Sequence, residues 1–296
     1  MNKILVLSPC LMLPNNREYN NKTLKRNFEA LQPDGYAVYD QCFNESDFDP
    51  RFTYVGHQDK RMGWVASRNG LLEYFYESDY DYAFWIDANS SVSKPTLNDV
   101  YTIFEALRND ELKNCDTIFS SLGMWCSQDR IDIKKLPDFN QNVHIIPAKN
   151  NKSYNWMHGL IHKNFKKYYN QEFYIDTRCD TNQGIPEDVY FSRLLRSVTN
   201  AYVAPTITLN KPDSSKSCDR NDGTGKYSYP PVEFDIVDRY IAESAIKNNY
   251  HHVNPVFVRD EIVLPRVAKM KEFVKPYVSR SRDKKVISVA DKVTLF

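Results

Sequence analysis

Two places in this 296-residue chain set carboxylates where chemistry could use them. Asp87 ends the apolar and aromatic run Tyr82-Ala83-Phe84-Trp85-Ile86 and is followed by Ala88 and Asn89. In an open α/β sheet, ligands gather beyond the carboxyl ends of the strands, so an acid at that end faces a binding crevice. The second place is Glu187-Asp188, which follows Gly184-Ile185-Pro186 and leads into Val189-Tyr190-Phe191. Proline followed by two acids marks a helix start, and such acids stabilise the helix dipole by roughly 0.3–1 kcal/mol with no catalysis at all. Asp87 and Asn89 likewise suit the capping of a turn after a strand.

The elements that must position these acids follow from periodicity. Lys3 to Leu7 reads as a short buried strand closed by Ser8-Pro9, followed by a helix from about Thr23 to Leu31 and strands at Tyr36–Tyr39 and Phe52–Val55. Arg68, Asn69, Leu71, Leu72, Phe75 and Tyr76 recur at helical spacing before the strand that ends at Asp87. Beyond it come a helix over Pro95–Leu107, a strand over Thr117–Phe119, an irregular stretch from Asp129 to Pro147 and a strand over Trp156–His162 containing Gly159. A helix over Asn164–Tyr169, one whose face is Phe191, Leu194, Leu195 and Val198, and one over Val232–Lys247 complete the series. The 211–229 stretch, rich in Ser, Asp, Asn and Gly, reads as a mobile loop. The order predicts an α/β fold with a mainly parallel central sheet, Rossmann-like, over residues 1–210. Residues 211–296 form the loop, a helix and a basic C-terminal extension packing on the same domain. The first glycine is Gly35, so neither a dinucleotide fingerprint nor a P-loop follows the first strand.

Composition narrows the class. Lys plus Arg number 39 against 38 Asp plus Glu, which leaves no overall field toward nucleic acid or an anionic membrane. No stretch approaches the roughly 18–20 apolar residues of a membrane span, and six scattered cysteines without metal-ligand spacing read as reduced thiols. A cytoplasmic protein is expected. Nine glycines against twenty tyrosines, with many Asn and Lys, suit an AT-rich coding sequence such as a bacteriophage genome, which would make the compartment the host cytoplasm.

Arg68-Asn69, then Trp85-Ile86-Asp87-Ala88-Asn89, then Gly184-Ile185-Pro186-Glu187-Asp188 together resemble the GT-A glycosyltransferases over roughly residues 1–210. The resemblance implies a GT-A-like fold and transfer of a sugar from a nucleotide-diphosphate sugar, UDP-linked by expectation, to an acceptor hydroxyl. By that resemblance Asp87 is the first acid of a metal-binding D-x-D segment, with Asn89 in its third position. Hard oxygen ligands suit Mg²⁺ or Mn²⁺, which neutralises the departing diphosphate. Asn89 is neutral where the family writes an acid, and offers a weaker ligand. Arg68 and Asn69 match residues near the nucleotide, Lys60 and Arg61 stand where diphosphate contacts are added, and Asp59 where such folds meet the base. His251 or His252 matches the extra metal ligand supplied from a late segment, and Trp156, His158 and Gly159 the wall of the sugar and acceptor pocket. Glu187-Asp188 matches the acidic motif under the acceptor. In an inverting enzyme Asp188 would remove the acceptor proton; in a retaining one the pair would orient sugar or acceptor.

For the acceptor, Arg266 to Lys285 carries eight basic residues and two acids on a chain otherwise near neutrality. Such a segment suits a phosphate backbone, and the phage-like composition points to DNA modification: a hydroxymethylated cytosine, bare or already glycosylated, in duplex DNA, flipped out to reach the site. The alternatives are a polysaccharide or protein acceptor, a non-catalytic nucleotide-sugar binding module, or a basic tail that is merely solvated.

Overall fold

The computed structural model describes residues 1–10, 17–40, 49–57, 64–92, 94–120, 133–148, 159–163, 172–180, 187–207, 209–210, 234–248 and 260–267. Among them a nine-stranded sheet carries the fold. Its strands are β1 (Ile4–Cys10), β2 (Gly35–Asp40), β3 (Thr53–His57), β4 (Tyr82–Trp85), β6 (Thr117–Ser120), β7 (Asn142–Pro147), β8 (Gly159–His162), β9 (Ala201–Ala204) and β11 (Ile262–Pro265), in the order β11-β7-β9-β6-β8-β4-β1-β2-β3. β1, β2, β3 and β4 run parallel, β8 is antiparallel to β4 and β6, β9 is parallel to β6, and β7 is antiparallel to β9 and β11. Only β7 and β8 therefore run against the rest, and the mainly parallel α/β architecture is present as expected. A separate two-stranded ribbon pairs β5 (Ser91–Val92) with β10 (Leu209–Asn210).

Both faces of the sheet are covered, which is why its central strands are apolar throughout rather than alternating. Every residue of β1 is buried. Ile4, Val6, Tyr82, Phe84 and Ile86 face the helices α1 (Arg17–Leu31) and α3 (Lys94–Arg108), packing with Leu24, Leu31, Val100 and Phe104. Leu5, Leu7, Ala83 and Trp85 face the other way, toward Leu71, Leu72 and Phe75 of α2 (Trp64–Glu77), Phe191, Leu194 and Leu195 of α4 (Glu187–Val198) and Val237 and Ile241 of α5 (Phe234–Lys247).

Besides β9 and β11, which periodicity does not predict, three features differ from the sequence reading. α1 starts at Arg17 rather than near Thr23, because its buried side includes Asn20, Thr23 and Asn27, and a polar buried face hides its period. The stretch taken as irregular up to Pro147 contains β7, whose buried His144 meets Glu261 Oε1 at 2.6 Å through Nδ1 and Pro137 O at 2.8 Å through Nε2. The third is the basic segment at its start: Arg266, counted among the residues free for a phosphate backbone, is bound into the domain. Its Nε and Nη2 meet Asp99 Oδ1 and Oδ2 at 2.6 and 3.3 Å, and its Nη1 donates to Phe139 O at 2.8 Å. The helix expected at Asn164–Tyr169, the loop over 211–229 and the basic residues from Lys269 onward lie outside the described residues.

Candidate active site

Asp87 is carried past the end of β4 by the edge of β1. Ile86 N–H still donates to Leu7 O at 3.0 Å, and Ala88 N–H reaches Pro9 O at 3.3 Å, so the segment runs beside β1 to its carboxyl end. A tight turn follows, closed by Ser90 N–H to Asp87 O at 2.9 Å. Buried polar groups pin it from behind: Ser8 Oγ donates to Ile86 O at 2.7 Å and meets Tyr36 Oη at 2.8 Å, while Asn27 Nδ2 donates to Ser90 O at 2.8 Å. Tyr36 is fully buried, and burial, first of all, holds its hydroxyl well above the ordinary phenol range, so it stays a neutral partner. The turn bearing Asp87 and Asn89 is thereby fixed by the core, in the way a functional carboxylate requires.

Arg68 projects from α2 into the same place. Its side chain is only 4% exposed, and Nη2 lies 3.5 Å from Asp87 Oδ1 and 3.5 Å from Glu187 Oε1. The guanidinium also sits over the Trp85 ring, 5.3 Å from its centroid. One cation thus bridges an acid from the first parallel unit and an acid from the first turn of α4. Asp188, next along, accepts from Val189 N–H through Oδ1 at 2.8 Å. Glu187 has its carboxyl pushed up to about 7: burial is the largest cause, Arg68 opposes it, and the Asp188 and Asp87 charges add to it. Two carboxylates at one guanidinium, with the Asp188 charge beside them, leave an excess of negative charge, and a group that holds its proton near neutrality is how such a cluster relieves it.

The structure brings together Arg68, Asp87, Glu187 and, through its charge on Glu187, Asp188. Asn89 shares the Asp87 turn. Gly159 opens β8, and its carbonyl and amide neighbourhood belongs to the sheet through pairing with Phe119. Asn69 uses both amide atoms on one partner: Nδ2 donates to Ile175 O at 2.8 Å and Oδ1 accepts from Ile175 N–H at 2.9 Å. Asp59, Lys60, Arg61, Trp156, His158, His251 and His252 lie outside the described residues. One acid passed over in the sequence is Asp40, fully buried at the carboxyl end of β2 in register with Cys10. It closes Gly-Tyr-Ala-Val-Tyr-Asp just as Asp87 closes its own apolar run, and that signal was available.

Among the described residues, no group of three or more His, Cys, Asp or Glu side chains is placed to hold a metal ion alone. Asp87 and Asn89 offer two oxygen-bearing side chains on one turn. Mg²⁺ and similar hard ions on a diphosphate take one or two protein carboxylates and fill the other positions with phosphate oxygens and water. The donor set fits a cation of that kind and does not fit a closed, all-protein site.

No protein-family model matches the sequence, and no curated protein matches it. Solved structures do match. S. aureus TarS 1-349 superposes with a TM-score of 0.51 at 13% identity, covering 84% of this chain and 67% of that one. The same protein in complex with UDP-GlcNAc gives 0.52 at 13% identity, with 84% and 68% covered. The mannosyltransferase PcManGT from Pyrobaculum calidifontis, in complex with GDP-Man and Mn²⁺, gives 0.44 at 11% identity, too loose to bear on this chain. At such identities the likeness is one of fold: the α/β scaffold of this chain is the scaffold on which TarS is built.

Proposed function

We propose that this protein is a glycosyltransferase that moves a sugar from a nucleotide-diphosphate sugar to an acceptor hydroxyl, with a divalent cation, Mg²⁺ or Mn²⁺, at the donor diphosphate. The observation that carries the reading is the convergence of Asp87 and Glu187 on the Arg68 guanidinium, 3.5 Å from each acid, beyond the carboxyl end of β4. The fold shared with TarS, a protein crystallised with UDP-GlcNAc, supports a UDP-linked donor.

In this reading Asp87 holds the cation with Asn89 beside it, and Arg68, desolvated and fixed by two acids, supplies permanent positive charge next to the diphosphate. The bound cation would offset charge on the diphosphate as it departs. Asp87 and Asp188, with a Glu187 only partly protonated at neutral pH, outweigh the single charge of Arg68 and would repel a diphosphate in the absence of such a cation, which is the electrostatic reason to expect metal dependence. Asp188 is the base toward the acceptor hydroxyl, and Glu187, holding its proton near neutrality, keeps the first turn of α4 from carrying two full charges. In this reading residues 1–210 carry the donor and acceptor site, and Phe234–Lys247 and Ile262–Pro265 belong to the same domain.

Release of nucleoside diphosphate from a panel of nucleotide sugars, with Mn²⁺, Mg²⁺ or EDTA, tests the reading. Turnover that EDTA abolishes, and that Asp87→Ala reduces by on the order of a hundredfold or more, is expected. Binding without release for every donor and acceptor would leave a nucleotide-sugar binding module instead. For the acceptor, hydroxymethylcytosine in duplex DNA is the candidate raised by the basic segment, against a polysaccharide or protein hydroxyl. With Arg266 committed to Asp99, that candidate rests on the seven basic residues from Lys269 to Lys285.

A further inference from the structure

Between the helix that carries Arg68 and the helix that carries Glu187 runs a line of buried and half-buried hydrogen bonds, joined through the backbone of 173–176, that the chemistry itself does not use. It starts one residue after Arg68. The Asn69 amide is paired with both backbone groups of Ile175, as one strand pairs with another, at 2.8 and 2.9 Å. Two turns further along α2, Tyr76 Oη donates to Phe173 O at 2.9 Å, and its ring meets Tyr174 edge-on at 5.6 Å. Residues 173–175 are thus held flat against α2, with Phe173 and Ile175 buried.

The next residue carries the line onward. Asp176 Oδ2 accepts from Ser244 Oγ of α5 at 2.9 Å, and Ser244 Oγ in turn accepts from Tyr190 Oη of α4 at 2.9 Å. Tyr190 is 1% exposed and stands three residues after Glu187, on the same side of α4. Asp176 is itself fixed. Arg178 donates to Oδ1 and Oδ2 from Nε and Nη2 at 3.0 and 2.6 Å, its Nη1 pairs with Glu243, and its guanidinium lies 3.7 Å over the Tyr240 ring. The carboxyl of Asp176 is raised by burial but held below its ordinary value by the Arg178 and Ser244 hydrogen bonds, which outweigh it. A charged, multiply bonded acid of this kind is a rigid node.

We propose that Asn69 and Asp176 are positioning residues: with Ser244 and Tyr190 they form a brace that sets the distance between Arg68 on α2 and Glu187-Asp188 on α4. This rests on the glycosyltransferase reading for its catalytic consequence, but not for its geometry. The brace explains why Asn69 follows Arg68 without making Asn69 a donor ligand. Each of its polar atoms already bonds Ile175, which fixes the plane of the amide and leaves only one N–H and one lone pair over. It also explains a tyrosine in the buried stripe of α4 where an aliphatic residue would pack as well: its hydroxyl is the link to Ser244.

The test uses Asn69→Asp, which turns the donated bond to Ile175 O into a repulsive contact, and Tyr190→Phe, which removes one hydroxyl and keeps the ring. On the full chain, kcat, the KM for the nucleotide sugar and the affinity for UDP with Mn²⁺ by titration calorimetry are measured well below the unfolding temperature. The brace predicts a kcat lowered about tenfold in Asn69→Asp and a few-fold in Tyr190→Phe, with UDP–Mn²⁺ affinity within about twofold of wild type. Weakened UDP binding with kcat kept would make Asn69 a donor ligand and overturn the proposal. A lowered unfolding temperature with both constants unchanged would make the network merely structural and overturn it equally. A second arm needs no activity: a urea-unfolding double-mutant cycle between Tyr190→Phe and Arg68→Lys. The brace predicts coupling, with the unfolding constant of the double variant departing at least about threefold from the product of the singles. Additive effects overturn the brace even if the wild type is an active transferase. Coupling in a protein that turns over no nucleotide sugar upholds the brace and overturns only the functional reading.

Discussion

Replacing Arg266 by Met should destabilise the protein strongly, because the residue is the partner of a buried carboxylate. The guanidinium is 21% exposed and Asp99, its partner on α3, is 2% exposed. They meet through two roughly parallel N–H···O contacts, 2.6 and 3.3 Å, and the third guanidinium nitrogen caps Phe139 O. Methionine keeps most of the stem but leaves the Asp99 carboxylate buried without its counter-charge, a loss that typically costs 3–5 kcal/mol. Because the Arg266 side chain is 21% exposed and water can approach from that side, the lower end of the range, about 3 kcal/mol, is the figure to expect. Asp99→Asn in the same background removes the orphaned charge and should restore roughly half of that. Urea unfolding followed by fluorescence reads both values. A loss for Arg266→Met within about 0.5 kcal/mol of zero would place the pair among ordinary surface ion pairs and refute the reasoning.

Three further outcomes are expected. Because Arg266 is structural, DNA affinity must be compared between the full chain and one ending after Val267, not before Asp260. Salt-dependent binding to hydroxymethylated duplex DNA that vanishes on this truncation would support a DNA acceptor, whereas affinity indifferent to it would remove that support. Glu187 has a folded-state value raised to about 7 from an ordinary value near 4.5. The folded state therefore holds the proton more tightly, and stability is lost as pH rises through that window. Glu187→Gln should gain on the wild type between pH 5 and 8 by up to about 3 kcal/mol in urea unfolding, and a pH-independent difference would refute the shift. Gln32, just past α1, has φ of 45° and is exposed. Gln32→Gly should raise stability by about 1 kcal/mol in thermal unfolding, and a fall would show that the side chain contributes a contact worth more than the backbone strain.

How much of this was legible in the sequence depends on what each residue is buried against. The parallel core was legible because β1 and β4 are covered on both faces, so their apolar runs are unbroken. Asp87 was legible because it ends such a run, and Glu187-Asp188 because proline and acids mark a helix start. β7, β9 and β11 were not. Each is four to six residues long, β7 buries a histidine whose nitrogens are satisfied by Glu261 and Pro137, and Val263 of β11 lies open to solvent at 47%. Local composition carries no record of such pairings. The role of Arg266 was illegible for the same reason: its partner Asp99 is 167 residues away, and a basic residue opening a basic run looks like part of the run. Asn69 was found as a site neighbour, but only the register of Ile175 against α2 shows what its amide holds.

The strand order also dictates when each part of the sheet can form during synthesis. β3, β2, β1 and β4 are adjacent in space and all lie within residues 4–85, so this unit, with the turn of Asp87 and the helix of Arg68, needs nothing from further along the chain to pair. The other half is interleaved. β6 pairs with β8, some 40 residues on, and with β9, some 80 residues on, while β7 finds its neighbours only once β9 and β11 exist. Pairings of such separation form slowly, because the loop must close before the contacts reward it. A nascent chain therefore displays Asp87 and Arg68 on a half-built sheet whose next edge, β4, waits for β8. Glu187 arrives later on α4, immediately ahead of the strand that locks β6 in place, so closing the second half of the sheet and delivering the second half of the candidate site are one event.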